Sequence, residues 1–89
     1  MKKIFKYELS FENRTFLKMP EKSEIMDIQI QNGKPVMWAM VEPDSREIEV
    51  KINIYGTGWT IDHMATKDEY LSTICDGELV FHFFMNYEV

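Results

Sequence analysis

"IMDIQIQNGKPVMWAMVE", residues 25–42, decides the fold. Asn32-Gly33 sits between two apolar-rich runs. A two-residue type I′ turn needs positive φ at both central residues, which asparagine and glycine tolerate. The first run alternates with period two, placing Met26, Ile28 and Ile30 on one side and Asp27, Gln29 and Gln31 on the other. A turn at Asn32-Gly33 sets the register, because side chains change face at every residue. Gln31 then faces Lys34, Ile28 faces Met37, and Asp27 faces Trp38. Met26, Ile28, Met37, Ala39 and Val41 share one side, and Trp38 stands with Asp27 and Gln29. The second run, 34–42, is apolar on both faces, as a central or covered strand is.

The same period extends outward in both directions. In "KIFKYELSF" (3–11), Phe5, Tyr7, Leu9 and Phe11 alternate with Lys6, Glu8 and Ser10. Residues 11–14 read as a turn, 15–19 as a short strand stopped by Pro20, and 21–24 as a polar loop. After a turn at 42–47, "EIEVKINIY" (47–55) points Ile48, Val50, Ile52 and Ile54 inward. It sends Glu47, Glu49, Lys51, Asn53 and Tyr55 outward. Residues 63–70 hold a turn of helix at most. The runs 70–75 and 78–85 flank Asp76-Gly77, a second hairpin signal, which sets His82 beside Val80 and Phe84 and opposite Leu71. About seven short strands with turn signals every ~8–12 residues predict an all-β chain. The expected architecture is a compact antiparallel sandwich or partly open barrel, a single domain over residues 1–89.

The chain has 89 residues and a net charge of −5. A domain this small buries only somewhat more than ~60% of its unfolded surface, so self-association would add useful burial. The charge argues against nucleic acid, whose phosphates demand clustered Lys and Arg. Lys2, Lys3 and Lys6 form the one basic cluster and read as solvated charges on a strand edge. Cys75 is the only cysteine, so no intrachain disulfide is possible. The start lacks the apolar run of a signal peptide, and no stretch approaches the ~20 apolar residues of a membrane span. A soluble protein of a reducing cytoplasm is expected. The glycosylation pattern at Asn13 then carries no meaning.

Catalytic chemistry finds little to stand on. His63, His82 and Cys75 do not make the four-ligand spacing of zinc. His82 in "VFHFF" reads as a satisfied, half-buried imidazole. Asp62 and His63 are neighbours, so in an extended segment they point apart and cannot serve one triad. No helix N-terminus is evident to activate Cys75. No catalytic residue, metal or cofactor is expected. Two places remain. In "YGTGWTIDH" (55–63), glycines let the chain leave one strand and cross to another sheet. Gly56-Thr57-Gly58 is too short for a phosphate loop and lacks its lysine. Tyr55, Gly56, Thr57, Gly58 and Trp59 together are the candidate binding corner, with aromatic faces for a base. The second place is Trp38 with Val36 and Met40, either covered by another strand or an anchor for a partner or a twin subunit.

The pieces "QNGKPVMWA", "YGTG" and "LVFHFF", within a match over about residues 5 to 84, resemble a family of small phage and prophage proteins of unassigned function. In that pattern a histidine commonly follows the second glycine, where this chain has Trp59, whereas His82 matches. The resemblance supplies no catalytic motif. It implies an accessory gene product acting in the host cytoplasm, with the inhibitor or modulator of a host protein, such as an anti-phage defence protein, as the leading expectation. A sponge for a nucleotide signal, built on residues 55–59, is the alternative, and a minor virion or assembly protein is a third.

Overall fold

The computed structural model describes residues 1–12, 14–61 and 68–87. Seven strands make two antiparallel sheets: β1 (Lys3–Glu8), β2 (Thr15–Pro20), β3 (Ser23–Gln31), β4 (Lys34–Val41), β5 (Glu47–Gly56), β6 (Glu69–Asp76) and β7 (Leu79–Asn86). One sheet has the order β1-β4-β3 and the other β2-β5-β7-β6. They pack face to face as a sandwich, and no helix occurs among the described residues.

The Asn32-Gly33 turn takes the expected backbone, with φ of 52° and 79°. Its register follows: Gln31 opposes Lys34, Ile28 opposes Met37, and Asp27 opposes Trp38. β4 is central in its sheet, between β1 and β3. That position is why its sequence is apolar on both faces. Ile28, Met37, Ala39 and Val41 meet Met19, Val50, Ile52, Ile54, Phe81, Phe83 and Met85 of the other sheet in one core. Phe83 and Met37 have no exposed surface. Burying side chains of this size fully contributes about 1.5–3 kcal/mol each.

Strict alternation fails at two bulges, each a single extra residue that resets the side-chain period. In β3 the register shifts between Ile25 and Asp27. Ile25 packs on the core, and Met26, expected inside, is 50% exposed. In β6 the shift lies between Tyr70 and Ser72. The β6–β7 turn also sits one residue later than Asp76-Gly77 suggests: Asp76 and Leu79 pair, so Gly77 (φ 63°) and Glu78 make the bend. His82 therefore opposes Thr73 rather than Leu71, which packs against the core. β3 also starts earlier than a loop over 21–24 allows, with Ser23 already paired to Val41.

Candidate functional site

β5 ends at Gly56, and the next four residues fold back on it. The Thr57 N–H donates to the Val80 carbonyl at 3.1 Å, and the Trp59 N–H donates to the Gly56 carbonyl at 3.0 Å. The second bond closes a four-residue turn with Gly58 third, at φ 88°. Thr57 does not have positive φ, so the turn is type II, which demands glycine or asparagine at that place. Gly56 serves differently. A methyl group on it would overlap the Trp59 indole along its Nε1–Cε2–Cζ2 edge. The glycine lets that edge of the indole lie against the backbone.

The indole also meets Phe81 edge to face, with centroids 6.1 Å apart, and Phe81 stacks on Phe11 at 4.7 Å. A cavity of about 330 Å³ opens beside this group, lined by Gly56, Thr57, Trp59, Glu78, Leu79, Val80 and Phe81. Trp59 is 51% exposed and Leu79 60%. The bend that the glycines make is thus also the wall of a small apolar notch. The structure brings Gly56, Thr57 and Trp59 to it, with Gly58 at the turn above. Tyr55 stands elsewhere. It pairs with His82 and points to the outer face of the four-stranded sheet, edge to face with Phe84 at 5.8 Å.

That outer face carries a polar network which the sequence does not reveal. Thr57 Oγ1 lies 2.7 Å from His82 Nε2, and Thr73 Oγ1 lies 2.9 Å from His82 Nδ1. Tyr70 continues the chain, its hydroxyl 2.7 Å from Thr73 Oγ1. A hydroxyl can donate or accept, so the half-buried ring is satisfied in either tautomer. Among the described residues no carboxylate bonds the ring, so the group lacks the orienting third member of a triad. Nearby, Asp68 accepts from Asn53 Nδ2 at 3.2 Å and from Asn86 Nδ2 at 2.6 Å. Both asparagines are buried although both fall on the outward side. Burial pushes the Tyr55 phenol above its ordinary value, helped by the charge of Asp68 and partly opposed by Arg14.

Trp38 lies on the outer face of the other sheet, between Lys6 of β1 and Asp27 of β3, and is half-buried. The Lys6 ammonium reaches across β4 to Gln31 Oε1 at 2.9 Å. Val36, on the same side, is buried outright. Among the described residues no further strand covers this face. Its own side chains do. Cys75 is exposed near the β6–β7 turn. Asp62, His63 and Asn13 lie outside the described residues. Among the described residues no three His, Cys, Asp or Glu side chains converge as a metal site would require, and no helix is long and apolar enough to cross a membrane.

The family described as "Domain of unknown function (DUF7352)" matches residues 1–89, and the chain belongs to it. No curated protein and no solved structure shows a match.

Proposed function

We propose that this member of an uncharacterised family is a non-catalytic binding protein, a phage-derived accessory product that occupies and so inhibits or modulates a host protein. The observation that carries the reading is the notch. Trp59 and Leu79 stand more than half exposed around an apolar cavity floored by Phe81. Buried aromatic and aliphatic anchors in pockets supply most of the binding energy in protein interfaces. The contact is therefore assigned to the Trp59–Leu79 notch rather than to Trp38, whose face is partly closed by its own neighbours. The expected result is that a host protein retained by the wild-type chain is lost on Trp59→Ala and kept on Trp38→Ala. Retention unchanged by Trp59→Ala sinks the assignment.

A nucleotide sponge is the second reading, and the exposed indole beside the Gly56–Gly58 turn is what favours it. A cavity of about 330 Å³ is at the low end for small-molecule sites, ~300–1,000 Å³. Among the described residues its one charged lining residue is Glu78, which repels phosphate. Thermal melting with a panel of cyclic and ADP-ribose-type nucleotides separates the two, since a ligand of the native state raises the melting point. The protein-binding reading expects no shift.

A further inference from the structure

We infer that the notch receives one large apolar side chain flanked by lysine or arginine on its partner protein, an inference that rests on the protein-binding reading above. Leu79 belongs to the inward row of β7 with Phe81, Phe83 and Met85, which are all buried. Leu79 is not, because the opposite sheet does not reach it. The apolar surface of the four-stranded sheet thus runs on past the core, and Phe81 and Val80 line the cavity beside it. The rim is acidic. Directly opposed residues of an antiparallel pair share a face, and Asp76 opposes Leu79, so the Asp76 carboxylate stands beside it. Glu78 lines the cavity itself. Neither carboxylate has an ion-pair partner among the described residues, where Arg46 and Glu21 form the ion pair that occurs. No lysine or arginine among the described residues lines the cavity. The net charge of −5 adds attraction over longer range. An apolar floor beside two carboxylates and an exposed indole selects an oily side chain with a cation next to it. The cation meets both the carboxylates and the ring face.

Display of random peptides against the immobilised full chain tests this, with Leu79→Asp and Glu78→Gln/Asp76→Asn chains in parallel. Leu79 is exposed, so its replacement leaves the fold intact, which circular dichroism checks. The expected peptides share a large apolar residue with Lys or Arg within two positions. Leu79→Asp weakens them about tenfold or more. The double carboxylate variant weakens them by up to about fivefold, and added salt acts in the same direction. Apolar peptides that need Leu79 but carry no cation overturn the inference and leave the notch assignment standing. Peptides indifferent to both Leu79→Asp and Trp59→Ala overturn the assignment as well, and so does the absence of any enriched sequence.

Discussion

Asp68→Ala is the substitution for which the structure gives the most definite expectation. Asp68 precedes β6, and its two oxygens take the side-chain amides of Asn53 on β5 and Asn86 on β7. One carboxylate thus ties three strands on the outer face of the four-stranded sheet. The asparagines are 4% and 2% exposed, so neither amide exchanges its partner for bulk water without rearrangement. A hydrogen bond to a charged acceptor contributes about 1.5–3 kcal/mol. The bond to Asn86, at 2.6 Å, belongs near the upper end, and that to Asn53, at 3.2 Å, near the lower. Asp68 itself is only partly buried, so water replaces part of what is lost. The net cost comes to about 2–3 kcal/mol, or roughly 10–20 °C of melting temperature for a domain of this size. Urea unfolding with an unchanged m-value measures it. Asn86→Ala closes a double-mutant cycle, with an expected coupling of at least about 1 kcal/mol. A loss below about 0.5 kcal/mol, the scale of ordinary surface changes, or strict additivity in the cycle, refutes the reasoning.

Three other perturbations follow from particular contacts. Gly56→Ala forces the indole off the backbone, so Trp59 fluorescence shifts to the red in a Trp38→Phe background and stability falls by about 1–2 kcal/mol; an unmoved spectrum contradicts the packing. Met26→Lys costs less than about 0.5 kcal/mol because the bulge turns Met26 outward, whereas Ile28→Lys, two positions on, prevents folding; equal effects in thermal melts would remove the bulge. Burial, the largest cause, raises the phenol pKa values of Tyr7, Tyr55 and Tyr87 above their ordinary 10.0. The folded state then holds these protons more tightly than the unfolded one. Their contribution to stability is complete below pH 10 and is lost as pH rises through the folded values. Tyrosinate absorbance read alongside alkaline melting checks this, and Tyr55→Phe should flatten the decline.

The strands and the central hairpin were legible because each rests on a local rule. Asn32-Gly33 fits one tight turn, and that turn fixes every partner from Gln31 to Asp27. Where two local rules compete, the sequence does not choose. Asp76-Gly77 and Gly77-Glu78 both offer a glycine for the bend, and the structure uses the second. That one step moves His82 from Leu71 to Thr73 and makes the Thr57–His82–Thr73–Tyr70 chain possible. Bulges are illegible for a similar reason. "IMDIQIQ" alternates well from Met26 onward, and nothing in it says that Ile25 also turns inward. Asp68 carried no signal at all. Only the burial of two asparagines, both on outward positions, marks it.

The notch shows where reading by period must stop. Alternation says which side of β7 Leu79 takes, and that side is the core side. It does not say how far the facing sheet extends. Three strands cover four here, and coverage ends before Leu79. An inward residue with nothing above it looks, in sequence, like any other core residue. In the same way Trp38, an aromatic on a polar face, looks free, while Lys6 and Gln31 bridge across the strand that bears it. Alternation therefore leaves Trp38 either covered or open and does not single out Leu79, and the extent of the sheets decides both. Open apolar surface on this sandwich lies at such an edge of coverage, which depends on the relative lengths of elements distant in sequence.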